Sequence, residues 1–340
     1  MPISSADPAL TAYRSVLDAA GWFDRSSRRR LEIVGPDRAK FLHNLTTNDV
    51  KRLAEGAGHE SFVTSPQGKV LAYVSLLSAE GSTILLRTDP DSHEALLPHL
   101  NKYGVFDDVA IEDVSARTFE YHLAGPAADA ILGALGVELP PEGALRHRSI
   151  RLAEVAVRVV RESPTGRPGF TLIGPIEASD RIKAALADVS ELDPSTFEAL
   201  RIEAGTPISG RDVTPGHLPQ EVGRDPLAIN FVKGCYLGQE TVARLDALGH
   251  VNRIFKGLRF SGETLPQPGT PLAFEGKVVG SVTSTGFSPG WDAPIGLGYV
   301  RVAQAVAGTK LVATIEGVGE VNAVVEDLPM LPTGQFLATD

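Results

Sequence analysis

The only cysteine of the 340-residue chain, Cys235, stands in the run 233–240, KGCYLGQE. Gly234 and Gly238 bracket the thiol and allow backbone to approach a neighbour closely. Lys233, two residues before it, favours a thiolate if its ammonium lies near the sulfur. A lone cysteine is otherwise a small buried hydrophobe. The residues therefore leave several chemistries open: one ligand of a shared site, a nucleophile, or a redox-sensitive thiol. Downstream, Gln239 opens a helical stretch in which Glu240 and Arg244 are four residues apart, within reach of an ion pair. His250 follows Gly249 as a loop residue. A second group lies at 197–205, FEALRIEAG, followed by Pro207 and Asp212. Here Glu203 sits in an apolar frame, as either a helix-end charge or a recognition group, and Phe197 as either a core ring or a stacking surface. A third is the triplet Arg28, Arg29 and Arg30, a solvated strand edge or an attractor of acidic partners.

KGCYLGQE resembles the signature of the YgfZ/Iba57 family. These are folate-binding proteins that support iron–sulfur cluster assembly or repair, related to the glycine-cleavage T-protein, an aminomethyltransferase. RIEAG at 201–205 is similar to the RLEAG run of that superfamily, whose Glu contacts the pterin; the resemblance carries this role to Glu203. A carboxylate can accept two parallel N–H bonds from a pterin edge. Phe197 stands where YgfZ-like sequences place an aromatic near folate, and a flat ring invites stacking. Similar runs extend over roughly residues 25 to 325.

The resemblance implies bound tetrahydrofolate or a derivative. It places cofactor contacts at Glu203, Phe197, Arg28 and Arg244, with Arg28 drawing the polyglutamate tail. The reactive segment is Cys235 with Lys233, Gln239 and Glu240, without a metal. Expected partners are folate and iron–sulfur client or assembly proteins. The expected role is that of an accessory protein, not a dedicated enzyme; the alternative is a tetrahydrofolate-dependent aminomethyl or methyl transferase. One departure bears on that alternative. Aligned on Gly68, the transferase's Asp falls at Ala72, which neither hydrogen-bonds nor carries charge.

The elements that must position these groups follow from pattern. LEIVGP (31–36), YHLAGP (121–126) and FTLIGP (170–175) are three β-rich runs ending in Gly-Pro. Helical stretches follow each, at 37–45, 127–135 and 177–186. This suggests duplicated split β-α-β units. Residues 60–64, 69–77 and 83–87 read as a meander, 92–100 as a helix and 109–114 as a strand. Composition shifts near 253–258. Beyond it, β-rich runs at 277–285, 296–302, 310–315 and 320–326 alternate with Gly/Pro turns, the spacing of a small barrel. The expected fold is α+β: two interleaved ferredoxin-like subdomains in a folate-binding region, 1–253, and a C-terminal all-β barrel, 254–340. The resemblance sets the three pieces around a central folate cavity.

The net charge of −10 argues against a nucleic-acid footprint. A single cysteine excludes an intramolecular disulfide and a four-thiolate cluster, and suits a reducing compartment. Eight histidines show no zinc spacing. No run approaches a membrane span, and the N-terminus lacks the pattern of a signal or transit peptide. The expectation is a cytoplasmic protein.

Overall fold

The computed structural model describes residues 8–249 and 251–331; His250 lies outside them. Helix α1 (Pro8–Asp18) precedes strand β1 (Gly21–Asp24). A first unit follows, with β2 (Arg29–Val34), α2 (Arg38–Leu45), β3 (Gly58–Thr64), β4 (Val70–Ala79), β5 (Thr83–Thr88), α3 (Pro90–Tyr103) and β6 (Ala110–Asp113). Its antiparallel sheet runs β3-β4-β5-β2-β6. Without the edge strand β3, this is the strand order of a split β-α-β unit.

A second unit comprises β7 (Thr118–Ala124), α4 (Ala128–Ala134), β8 (His147–Leu152), β9 (Val155–Arg161), β10 (Gly169–Pro175) and α5 (Ser179–Ala185). Its sheet runs β1-β7-β10-β9-β8. The same order recurs, but its last strand is β1, supplied from before the first unit. The two subdomains are therefore interleaved.

Helices α6 (Pro194–Ala204), α7 (Asp225–Ala228) and α8 (Gln239–Leu248) lead to the barrel. Its strands are β11 (Arg253–Phe260), β12 (Pro271–Phe274), β13 (Lys277–Ser288), β14 (Ala293–Arg301), β15 (Lys310–Ile315) and β16 (Gly319–Glu326). It closes in the order β11-β14-β13-β12-β15-β16. The four expected barrel strands are joined by β11 and β12.

Strand alternation explains how the sheets are used. On β7, Phe119, Tyr121 and Leu123 pack with Leu132 of α4 and Ile182 of α5. On β5, Ile84 and Leu86 pack with Leu42 of α2 and Leu96 of α3. The opposite faces of the two sheets meet each other. One end of that seam is apolar, with Leu77, Leu85, Leu145, Val160 and Ile173. The other end is charged. The Gly-Pro turns do more than stop strands: a Cβ on Gly35 (φ 111°) would lie 2.3 Å from the Asp108 carbonyl oxygen, and one on Gly125 (φ 130°) 2.4 Å from that of Ala19.

Candidate functional site

Six of the eight residues of KGCYLGQE are backed by the fold or start a helix, and Gly234 and Cys235 stand exposed. Lys233 turns inward. Its Nζ donates to the carbonyls of His43 and Thr46, both at 2.6 Å, and of Asn48 at 2.8 Å. These oxygens lie at and beyond the C-terminal end of α2, where helix carbonyls lack partners. Burial pulls the Lys233 amine down to about 7. Its ammonium also lies 4.8 Å from the ring centre of Tyr236. Lys233 is thus an anchor of the segment, a correction to its expected place beside the sulfur.

Tyr236 is buried in a cluster with Phe62, Tyr73 and Val222. Leu237 N–H donates to the Asn44 carbonyl at 2.8 Å, and its own carbonyl accepts from Thr64 Oγ1 at 2.6 Å. Gly238 (φ 82°) lies against the turn after β3; a Cβ there would sit 2.4 Å from the Ser65 carbonyl oxygen. Gln239 begins α8 half-buried, and Glu240 and Arg244 are exposed on it. Among the described residues Glu240 and Arg244 form no ion pair with each other, and Arg244 touches none of the other expected folate contacts. Cys235 is exposed and forms no hydrogen bond among the described residues.

A second assembly occupies the charged end of the inter-sheet seam. Glu120 of β7 is fully buried between Arg28 (3.1 Å), Arg30 (3.5 Å) and Arg87 (3.6 Å). Arg28 also reaches Asp89 at 3.2 Å, and Arg87 holds Glu162 at 2.5 Å. Arg28 is therefore part of a buried network, a correction to its reading as a solvated edge. Burial opposes its charge, but Glu120 and Asp89 hold it firmly protonated. Arg25, three residues earlier, has no carboxylate partner among the described residues. Its guanidinium lies over the Phe197 ring, 4.6 Å from the centre, and Phe197 meets Phe23 edge-on at 5.3 Å. Burial, and Arg28 beside it, pull Arg25 down to about 10. Four guanidiniums thus face three carboxylates.

His122 continues this surface along β7, fully buried between Phe23 and Thr171 in the sheet register. Its Nδ1 is 3.0 Å from Thr171 Oγ1, which lies 2.5 Å from Glu162 Oε1. Its Nε2 has no hydrogen-bond partner among the described residues. Sequence reasoning singled out neither Arg25 nor His122. The only signal for Arg25 was its place just before the Arg triplet; for His122 there was none.

Glu203 lies elsewhere. It is buried on α6, with Tyr13 Oη donating to Oε2 at 2.9 Å and Ser288 Oγ donating to Oε1. Burial raises its pKa, partly offset by those two hydroxyls. These two hydroxyls tie Glu203 of α6 to α1 and β13, and each carboxylate oxygen keeps a further acceptor site. Glu203 and Phe197 point to different faces of α6. Ala72 belongs to the apolar layer with Leu42, Leu45 and Leu96. Its neighbour Tyr73 faces the other way, and its hydroxyl accepts from Arg224 Nε at 3.1 Å, beside Glu60. No cluster of three or more His, Cys, Asp or Glu among the described residues is arranged to hold a metal ion. No helix among them is long and apolar enough to cross a membrane.

Residues 5–230 match the family model of the GCVT N-terminal domain, and residues 253–331 that of the glycine cleavage T-protein C-terminal barrel domain. The chain belongs to the glycine cleavage T-protein family. A probable aminomethyltransferase of Natronomonas pharaonis is 32% identical over 339 residues, covering 97% of this chain and 92% of that one. A putative chloroplastic transferase of Arabidopsis thaliana is 31% identical, covering 91% and 70%. The crystal structure of glycine cleavage system aminomethyltransferase T from Bartonella henselae superposes with a TM-score of 0.85 at 23% identity, covering 99% and 93%, a likeness of fold. These T-protein relatives are named as transferases, so the expectation of a non-enzyme draws no support from them.

Proposed function

We propose that the chain is a tetrahydrofolate-binding accessory protein of the YgfZ/Iba57 kind, serving iron–sulfur cluster assembly or repair in the cytoplasm through the thiol of Cys235. The carrying observation is the exposed Cys235 on a segment that Lys233, Tyr236, Leu237 and Gly238 pin to α2, to the core and to the end of β3. A cysteine kept only for packing would lie inside. Client or assembly proteins reach this thiol from solvent, with exposed Phe231 and Val232 next to it.

Folate is proposed for the inter-sheet seam, with residues 1–253 as the folate-binding region and 254–340 as the barrel that closes it. The groups present fit that ligand. Arg25, laid on Phe197, offers a flat cationic face to an aromatic ring. The excess guanidinium suits the carboxylates of a glutamate tail. When bound, a reduced folate supplies a one-carbon carrier; the chain's residues orient it.

A second reading, a tetrahydrofolate-dependent aminomethyltransferase, is favoured by the names its relatives carry. One experiment separates the two. A strain lacking its own member of this branch is complemented with wild type and with Cys235→Ser, and the activity of iron–sulfur enzymes is measured. Rescue by wild type alone supports the accessory role. Equal rescue by both removes the thiol from the function, and glycine-cleavage turnover by purified protein establishes the transferase.

A further inference from the structure

We infer that His43, oriented by Asp49, is the general base that takes the proton of the Cys235 thiol as the sulfur reacts. This deepens the proposed function and rests on its reading of Cys235. A free thiol is mostly protonated near pH 7, and only the thiolate is nucleophilic. A reacting thiol therefore needs a proton acceptor within reach. The partner expected from the sequence is Lys233, but its ammonium is spent on three carbonyls, one of them that of His43. The fold sets the His43 ring beneath the segment instead. A Cβ built on Gly234, the residue before the cysteine, would meet one atom within 4 Å among the described residues: His43 Nε2, at 3.6 Å.

His43 is only 4% exposed, yet its Nε2 has no hydrogen-bond partner among the described residues. The other ring nitrogen, Nδ1, lies 3.2 Å from Asp49 Oδ1. The two are not aligned as a hydrogen bond, so Asp49 acts through its charge. It draws the ring proton to Nδ1 and leaves the lone pair on Nε2, facing Gly234. A glycine at that position keeps the nitrogen open to its neighbours in the chain. The charged groups around the ring are Asp49 and Lys51, after α2, and Lys233. Arg52 pairs with Asp49 Oδ2 at 3.6 Å, and His59 of β3 bonds the Asp49 backbone. Burial, and then Lys233, push the His43 imidazole down, while Asp49 opposes them. The ring is therefore neutral near pH 7 and can accept a proton. It stands in the last turn of α2, where the carbonyl end of a helix favours an imidazolium once formed.

The proton step balances within the pair. The Cys235 S–H bond breaks, its electron pair stays on sulfur, and the proton binds at His43 Nε2, from which it passes to solvent. With iodoacetamide as the electrophile, an S–C bond forms, the C–I bond breaks and iodide leaves. At rest the thiol is exposed and bonds to nothing among the described residues; rotation about χ1 is the motion open to it. Contacts between a nucleophile and its base are commonly loose before a reactant is bound and tighten with it.

The test is the pH–rate profile of alkylation by iodoacetamide, measured on the native protein and on the capped peptide KGCYLGQE, which has the same residues without His43. Near pH 7 native Cys235 is expected to react about tenfold faster than the peptide. His43→Gln fills the same space but cannot take the proton. It is expected to lose that tenfold near pH 7 and to converge with wild type by about pH 10, where the thiol ionises unaided. A merely structural role would not make the loss depend on pH. Asp49→Asn is expected to lose part of the advantage. Wild type supplies a readout that needs no variant: alkylation of Cys235 should displace the titration of the His43 imidazole followed by NMR. Equal profiles in wild type and folded His43→Gln, or a His43 titration unmoved by alkylation, overturn the inference. Full complementation by Cys235→Ser overturns the accessory reading instead and leaves the profile standing.

Discussion

Acid should destabilise this protein from below pH 6.5, well before its carboxylates titrate, because three histidines are built in as neutral rings. His147 shows why. Arg158 Nη1, which only donates, lies 2.9 Å from its Nδ1, and its Nε2 lies 3.2 Å from the Ala57 carbonyl. Both nitrogens are committed to the neutral tautomer. Burial, with Arg158 next, pulls His147 down to about 4. His217, stacked on Tyr299 at 4.0 Å, is pulled down to about 4 by burial and Arg253, and His122 to about 3. In the unfolded chain each titrates near 6.5, so the unfolded state binds more protons as pH falls through the window from about 6.5 to 4. Between pH 8 and pH 5 each histidine removes about 2 kcal/mol of stability, roughly 6 kcal/mol together. That is comparable to the whole stability of many domains. His147→Gln keeps an acceptor for Arg158 and a donor for Ala57 but cannot titrate. Urea unfolding followed by circular dichroism at both pH values should show the variant losing about 2 kcal/mol less than wild type over this interval. An identical loss in both proteins would refute the reasoning.

Lys233→Met leaves three carbonyls without their donor and should cost about 2–4 kcal/mol in urea unfolding; a change below about 0.5 kcal/mol would mean that the ammonium is not an anchor. Glu203→Ala strands the hydroxyls of Tyr13 and Ser288 and should lower stability by about 2–4 kcal/mol. Its folate affinity, by calorimetry, tests the expected pterin contact: a loss of tenfold or more assigns that contact to Glu203, and a change within about twofold leaves the carboxylate as a tie between elements only. Native Cys235 should react with an alkylating reagent without prior unfolding, and reaction confined to the unfolded protein would remove the thiol from the function.

How far the chain could be read depended on whether the signal was local. The strand–Gly-Pro–helix runs led to β2, β7 and β10 with α2, α4 and α5, because Gly35 and Gly125 are required where the backbone approaches another segment. Strands β8 and β9 carry no Gly-Pro stop and are absent from the expected elements. The pairing of β1 with β7 joins residues about a hundred positions apart and leaves no local trace. At the site, the run around Cys235 was legible as a unit, but the direction of Lys233 was not. Only the folded α2 brings three free carbonyls to one point. The hydroxyls that hold Glu203 were not legible because Tyr13 and Ser288 lie 190 and 85 residues away. Ala72 marked a missing carboxylate in alignment, yet strand alternation turns that position into an apolar layer.

The loan of β1 to the second sheet also orders events during synthesis. Gly21–Asp24 leaves the ribosome early, but its partner Thr118–Ala124 emerges only after the whole first unit. At ordinary elongation rates that gap lasts roughly 5–20 s. The first sheet has every strand it needs in that interval and can form alone. Trp22 and Phe23, both buried in the finished protein, wait in solvent until the second sheet receives them. The nascent chain therefore carries a short apolar strand through most of the making of its N-terminal half, and this is the stage at which a chaperone would bind it.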